Sequence, residues 1–420
     1  MTSFAELGVR PRTRESLSRQ GITTPNPVQL GALPHLLAGH DAVVEAPTGS
    51  GKTLAFAIPM VERLQGHRPG GPRALVVGPT RELSLQVASV IASLDRQIRV
   101  AVLYGGVGYG AQNQALSSGA DVVVGCPGRI LDLAGQRRVS FNAVEYLVLD
   151  EADEMLDAGF ARDVESIIGL CAGGTGRQTV LASATMPDWV QRMIDRHLRE
   201  PVRVRIAADA EPALEHGLLH VSDELRLDSL VTLLKLQPAG SGTIVFTRTK
   251  HGAKKLTHKL STLQLRVAEL QGNLSQNARE RSITSFREGD ADVLVATNVA
   301  ARGLDVPHVG LVVNYELPET ALWLTHRIGR TARNGATGRA ITLLSTADSE
   351  QWAKLQRGGA PRLRRLHVDP LLQRGEWHYI AESEVAGISH HPPSQAAPIR
   401  PPGRSRSFRG RRRAPRRTAA

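Results

Sequence analysis

The chain is predicted to be an α/β protein of two tandem parallel-sheet lobes with a cleft between them and a disordered basic tail. Three observations carry that expectation. Short runs rich in valine and leucine alternate with longer helical patterns, as parallel sheets covered by helices on both faces require. The plan occurs twice along the chain, and the two halves are separated by a small, polar, acidic stretch. A glycine-rich turn of the kind that receives phosphates stands between the first strand and the first long helix of that plan, and the second half has no counterpart.

In the first half the apolar runs predict strands at 42–45, 74–78, 100–104, 121–125, 146–149 and 179–183. In the second they predict strands at 243–247, 266–270, 292–296, 311–315 and 339–344. The resulting division is a first lobe over 1–206, a flexible linker over 207–216, a second lobe over 217–367 and a tail over 368–420. The tail contains Pro392-Pro393, Pro401-Pro402 and an arginine run, a composition that cannot bury enough apolar surface to fold alone.

A chain of 420 residues, 41% hydrophobic and 22% charged, is long enough for two lobes with substantial cores. Of its +12 net charge, nine units come from arginines in 400–420, a segment with no acid, so the rest of the molecule is only mildly basic. Cys126 and Cys171 are the two cysteines, far apart and without metal-ligand companions; this argues against a disulfide framework or a zinc site and for a reducing, cytoplasmic setting. Glu6, Arg10 and Arg12 interrupt the N-terminus, and the apolar runs are too short to cross a bilayer, so a soluble protein without a membrane partner is expected.

Two motifs carry chemistry. After strand 42–45 comes Ala46-Pro47-Thr48-Gly49-Ser50-Gly51-Lys52-Thr53, with Ala46 where the general phosphate-loop pattern has its first glycine. Gly49 and Gly51 let the backbone turn its N–H groups toward phosphate oxygens, Lys52 supplies a positive charge, and Thr53 offers a hydroxyl to a magnesium ion. About a hundred residues later, strand 146–149 delivers Asp150-Glu151-Ala152-Asp153. In a nucleotide site Asp150 can hold the Mg2+ shell, and Glu151 can orient and deprotonate water.

With these blocks in order, the chain resembles the DEAD-box RNA helicases over residues 4–345. Further blocks of that family's wording are Thr80-Arg81-Glu82-Leu83, Gly105-Gly106, Pro127-Gly128-Arg129, Ser183-Ala184-Thr185, the run from Ala300 to Asp305, and His326 to Thr331. The resemblance implies two RecA-like lobes that close on ATP and Mg2+. It places Thr48 and Ser50 in the phosphate loop, and Gln29, preceded by Pro25, Pro27 and Val28, in an adenine-reading segment that includes Phe4, seventeen positions before Gly21. It assigns Asp305 to the ribose, Arg330 and Arg333 to the γ-phosphate, and His326 to a bridge toward the acidic block. Thr80, Arg81, Gly105, Gly106, Gly128 and Arg129 of the first lobe fall on RNA-backbone blocks. So do Thr247, Gly272, Gln276, Arg279 and Thr297 of the second. Asp153, Ser183 and Thr185 fall on the block that couples the two ligands.

The chain departs from the family's pattern at four of these places. Cys126 replaces a threonine, Gln271-Gly272-Asn273 replaces His-Gly-Asp, Asn298 replaces a frequent aspartate, and Ala332 replaces a glycine. The implied activity is RNA-stimulated ATP hydrolysis that separates short duplexes or remodels RNA–protein complexes, with ribonucleoprotein or degradation-complex proteins as further partners. An ATP-gated RNA clamp and a translocating DNA helicase use the same two-lobe plan and stay open at this point. The arginine tail is expected to add sequence-independent RNA affinity.

Overall fold

A computed structural model describes residues 2–47, 49–65, 67–68, 70–171, 176–206, 214–298, 306, 308–332, 337–361, 363–367 and 378–379. Thr48, Asp305, Arg333, most of the expected linker and the arginine tail lie outside the described residues.

The first sheet contains β1 (Ala42–Glu45), β2 (Ala74–Val77), β3 (Val100–Leu103), β4 (Val122–Gly125), β5 (Tyr146–Leu149), β6 (Gln178–Ser183) and β7 (Val202–Arg205). Their spatial order is β3-β4-β2-β5-β6-β1-β7, with every pairing parallel. Consecutive valines and leucines suit such strands because both faces are covered. Val44, Val76, Val124, Val148 and Val180 enter the core on one face, while Val43, Leu75, Val123, Leu147 and Leu181 enter the core on the other.

The second sheet contains β8 (Leu214–His220), β9 (Gly242–Thr247), β10 (Val267–Leu270), β11 (Val293–Thr297), β12 (Val309–Asn314), β13 (Gly338–Leu344), β14 (Arg364–His367) and β15 (His378–Tyr379). Its order is β10-β11-β9-β12-β13-β8-β14-β15, parallel except for the β14–β15 pair. Ile244, Phe246, Leu294 and Val312 fill one face, and Val245, Val295, Leu311 and Val313 the other.

Four strands differ from the sequence expectation. The linker expected over 207–216 ends early, because β8 begins at Leu214 and pairs along β13 from Gly338 to Leu344. Polar residues such as Glu215 and His216 hide that strand from a search for apolar runs. Similarly, β7 alternates Val202-Arg203-Val204-Arg205 at the sheet edge, where only one face needs apolar residues. Strands β14 and β15 extend the second sheet beyond the expected set.

Strand order sorts the motifs in space. The phosphate loop, the Ser-Ala-Thr block and the acidic block leave the carboxyl ends of β1, β6 and β5, three neighbours in one sheet. Their ends are tied together, since Ala46 N donates to Ser183 O at 3.1 Å. The blocks of Thr80, Gly105 and Cys126 leave β2, β3 and β4, the other neighbouring trio. This is the crevice side of an open parallel sheet, where ligands bind.

Candidate active site and nucleic-acid interface

The phosphate loop is shaped from its neighbours inward. Asn26 caps the helix Pro27–Leu37 in a reciprocal box: Gln29 N donates to Asn26 Oδ1 and Asn26 N to Gln29 Oε1, each at 3.0 Å. Asn26 Nδ2 then donates to Ser50 O at 2.8 Å, so the cap also holds the loop. Gly51 has φ of 87°, and a Cβ there would strike Asn26 Nδ2, which is why the position needs glycine. The next residue begins the helix Lys52–Leu64, whose N-terminal turn follows directly on the loop and carries Thr53. Lys52 is buried, and its Nζ donates to Ala46 O at 2.5 Å and Pro47 O at 3.1 Å. Ser50 Oγ is buried with no hydrogen-bond partner among the described residues.

Two residues of the expected adenine segment are buried in the first lobe. Phe4, expected to stack on the base, is 3% exposed and belongs to the core of the first sheet. Gln29 is 3% exposed, and its side-chain oxygen serves the helix cap. A capping box needs these atoms regardless of ligand, and an Asn-x-x-Gln spacing at a helix start was readable in advance.

The acidic block is buried. Asp150, Glu151, Asp153 and Glu154 are each 8% exposed or less. Burial pushes the Asp150 carboxyl well above the ordinary range, with neighbouring Glu151 adding to the rise and Lys52 opposing it. Burial likewise raises Glu151, helped by Glu154 and opposed by Arg330 and Lys52. Glu151 also carries φ of 50°, a left-handed conformation that costs a non-glycine residue about 1–2 kcal/mol. Strain of this kind persists where the surroundings impose it, and a candidate general base is such a place.

The coupling block matches expectation in part. Thr185 Oγ1 and N both donate to Asp153 Oδ2 at 2.8 Å. Ser183 Oγ instead accepts from the Asp153 backbone N–H at 3.2 Å and donates to Thr185 O at 2.7 Å, so it holds the main chain rather than the carboxylate.

From the second sheet, the helix Ala321–Ile328 and the turn after it reach this block. Arg330 Nη2 donates to Glu154 Oε1 at 3.2 Å, with both side chains 4% exposed or less. His326 Nδ1 lies 3.9 Å from the same oxygen. The approach of His326 to the acidic block is thus toward Glu154, the last acid of that run. Ala332, next to the turn, has φ of 55°, the conformation that explains why glycine is usual there.

The remaining blocks converge on one cavity of about 860 Å³. The first sheet contributes Thr80, Arg81, Gly105, Gly128 and Arg129, and the second contributes Gly272, Arg279 and Thr297, as expected. No neighbouring atom lies within 4 Å of where a Cβ would stand on Gly105 or Gly128, so the backbone there is open to close approach. Arg129 donates to Val107 O at 3.1 Å and lies 4.2 Å from the Tyr109 ring, while its Nη1 is buried with no hydrogen-bond partner among the described residues. Arg81 donates to Gln276 Oε1 at 3.1 Å across the two sheets, and Gly106 leaves room for the Arg81 guanidinium. Arg279 pairs with Glu82 at 2.5 Å.

Of the expected contacts, Gly106, Thr247 and Gln276 do not line the cavity. Thr247 is 1% exposed, with its hydroxyl on Thr249 O at 3.3 Å. Thr80 lines the cavity but also caps the helix Arg81–Leu94, accepting from Leu83 N at 3.2 Å. Cys126, in place of threonine, packs 3.7 Å from Ser84 Oγ, and burial pushes its thiol up to about 11, so it stays neutral. Asn273 accepts from Lys250 Nζ at 3.0 Å.

Sequence reasoning passed over Glu154, Arg248, Lys250, Phe160 and Trp323, of which the last four line the cavity. It also passed over Arg327, which is 1% exposed and donates to Asn298 Oδ1 at 2.6 Å, Asn314 Oδ1 at 3.2 Å and Glu316 O at 2.6 Å. Burial lowers this guanidinium to about 9. A carboxylate at 298 would neutralise it, whereas asparagine only accepts a hydrogen bond.

Comparison with known proteins agrees with this arrangement. The "DEAD/DEAH box helicase" family matches residues 26–193, and the "Helicase conserved C-terminal domain" family matches 225–335. The DEAD-box ATP-dependent RNA helicase CshA of Bacillus thuringiensis is 36% identical over 396 residues, which cover 93% of this chain and 74% of that protein. The chain belongs to the DEAD-box helicases.

A second relative of this DEAD-box chain is the maize chloroplastic DEAD-box ATP-dependent RNA helicase 3A, 41% identical over 393 residues, covering 90% of this chain and 52% of that protein. The chain thus spans about half the length of some curated relatives it matches, 52% and 49% for the two maize helicases. Among solved structures, S. cerevisiae Dbp5 bound to RNA and ADP BeF3 superposes with a TM-score of 0.75 at 30% identity, covering 87% of this chain and 95% of that one. Among the described residues no helix is long and apolar enough to cross a membrane, and no group of three or more His, Cys, Asp or Glu could hold a metal by itself.

Proposed function

We propose that this chain is an RNA-stimulated ATPase that separates short RNA duplexes or remodels RNA–protein complexes by closing two lobes, 1–206 and the part from Leu214 to 367, on single-stranded RNA. The observation that carries the reading is a cavity of about 860 Å³ lined by loops of both sheets, together with the Arg330–Glu154 pair that ties those sheets at the acidic block. RNA and a nucleotide analogue are the ligands named for the yeast Dbp5 neighbour, which supports assigning RNA to the cavity and ATP to the crevice of the phosphate loop.

Gly49, Ser50, Gly51, Lys52 and Thr53 hold the triphosphate, with Thr48 completing the loop. Lys52, now spent on loop carbonyls, moves to phosphate oxygens at little cost because those bonds are only exchanged. The donor set fits a magnesium ion: Asp150 is a buried carboxylate whose charge lacks full compensation, and Thr53 adds a hydroxyl. Magnesium prefers one or two carboxylates plus substrate phosphates over a dedicated protein cage, and when bound it would neutralise charge on the triphosphate. Glu151 orients and deprotonates the attacking water. Arg330 and Lys52 lower its pKa, so their presence favours the ionised base. Arg330 and Arg333 stabilise the γ-phosphate in the transition state, Asp305 holds the ribose, and His326 keeps the finger segment against the acidic block.

In the cavity, Arg81, Arg129 and Arg279 take phosphates while open glycines admit the backbone. Asp153, Thr185 and Ser183 join the two ligand sites through one hydrogen-bonded unit. The decisive experiment measures phosphate release with and without RNA, beside strand displacement of a short RNA duplex. RNA should raise turnover and ATP should release the strand. Equal turnover without RNA would reject the assignment, stimulation without displacement would favour a clamp, and equal stimulation by DNA would favour a DNA helicase.

A further inference from the structure

Most of the cavity lining suits a phosphate backbone, being cationic side chains, hydroxyls and glycines. Two residues do not fit that chemistry. Phe160 and Trp323 are the aromatic side chains among the described lining residues, and the two sheets supply one each. Both are only half-buried, so each leaves apolar ring surface on the cavity. An exposed indole gains little from phosphates, but every nucleobase offers a face on which it can stack.

Trp323 is also held in place. It lies in the first turn of the helix Ala321–Ile328, where its backbone N–H donates to the capping Thr320 Oγ1 at 3.2 Å. Its ring meets His326 edge-on, with centroids 6.0 Å apart and planes at 83°. His326 sits one turn further on and approaches Glu154, the partner of Arg330. The indole thus lines the nucleic-acid cavity on one side and abuts the path to the nucleotide crevice on the other. A preorganised ring loses little entropy when a base covers it.

Resting on the RNA assignment above, we infer that Trp323 is a base-stacking platform, with Phe160 as the aromatic wall of the opposite lobe, so that one nucleotide of the bound strand is held by its base rather than its backbone. Occupancy at that one position reports on the base being present, and any base can serve. Affinity for a strand therefore has a position-specific component that the arginine contacts lack.

An abasic walk tests this. The full chain is bound to a fluorescent uridine decamer in the presence of ADP–beryllium fluoride, and single abasic nucleotides are placed at successive positions. One position should lose roughly five- to a hundredfold in affinity, the range of a single aromatic stack. Trp323→Ala should lose a similar factor on the intact strand and flatten the walk at that position, and Trp323→Phe should restore most of both. A flat walk with unmodified protein overturns the inference, and so does a Trp323→Ala protein whose walk keeps its wild-type shape. RNA-stimulated ATP hydrolysis in the same preparation separates the outcomes: stimulation with a flat walk removes the stacking platform alone, whereas absent stimulation removes the RNA reading itself. The walk with unmodified protein decides the matter even where Trp323→Ala fails to fold.

Discussion

The crevice around Asp150 and the cavity around Arg129 leave the same sheet edge, yet they store charge in opposite ways. In the crevice, four acids are buried beside Lys52 and Arg330, and each cation is already engaged, one by carbonyls and one by Glu154. In the cavity, Arg81, Arg129 and Arg279 are also engaged, by Gln276, Val107 O and Glu82, but open glycines and an Arg129 Nη1 with no hydrogen-bond partner among the described residues remain. A site whose cations are already engaged exchanges partners when its ligand arrives, and that favours geometry-dependent chemistry. A site with a spare donor and open backbone gains new partners, and that favours affinity. Perturbing the first should therefore change turnover, and perturbing the second should change binding.

The largest break in that comparison is expected at the crevice. Arg330→Ala should lower RNA-stimulated turnover by about 10³ to 10⁵, the range for arginine fingers. Glu151→Gln should lower it by about 10² to 10⁴, the range for a general base, while ATP and RNA still bind. Single-turnover phosphate release, read beside equilibrium binding of both ligands, checks the split. A Glu151→Gln enzyme that retains turnover would show that another group positions the water.

The cavity should respond differently. Arg129→Ala should weaken RNA binding with little change in turnover at saturating RNA, and should flatten the salt dependence by about 0.7 in log–log slope, as for one lost phosphate contact on a single strand. Titrations at several salt concentrations measure the slope. An unchanged slope would place Arg129 in a structural role with Tyr109 and Val107.

A smaller effect sharpens the same contrast through pH. Burial raises the folded Asp150 carboxyl above its unfolded value, so between about pH 4 and the raised value the folded state binds a proton that the unfolded state does not. Stability therefore falls as pH rises through that window. Asp150→Asn should remove the loss, raising stability of the nucleotide-free protein by about 1–3 kcal/mol at pH 8 and by much less at pH 5. Thermal melts at the two pH values decide it, and an equal gain at both would mean that the carboxyl carries no burial penalty.

Much of this contrast was legible in the sequence, for identifiable reasons. Strands β2, β4 and β5 are unbroken apolar runs because both sheet faces are covered, so composition alone reveals them. The strand β8 is mixed in polarity, and its place depends on a partner more than a hundred residues away, which no local window contains. Phosphate-loop glycines were readable because the backbone conformation demands them. The burial of Phe4 in the core and the use of the Gln29 side-chain oxygen in a helix cap were not legible, because burial is a tertiary property. Arg327 left no signal, since a fully buried arginine looks like any surface charge until Asn298 and Asn314 are placed around it.

The smallest expected effect lies where the two regions meet, in the turn after Arg330. Ala332 holds φ of 55°, and a residue with a Cβ loses about 1–2 kcal/mol there. Glycine would relieve that strain but loses about 0.4–1 kcal/mol through the greater freedom of its unfolded chain. Ala332→Gly should therefore stabilise the protein by roughly 0.5–1 kcal/mol, a shift resolvable in denaturant midpoints. The consequence for the crevice runs the other way. Ala332 restricts the backbone between Arg330 and Arg333, so the glycine variant should hold the fingers less rigidly and turn over somewhat more slowly although it is more stable. A variant both more stable and faster would mean that the methyl merely obstructs the turn and gives the fingers no preorganisation.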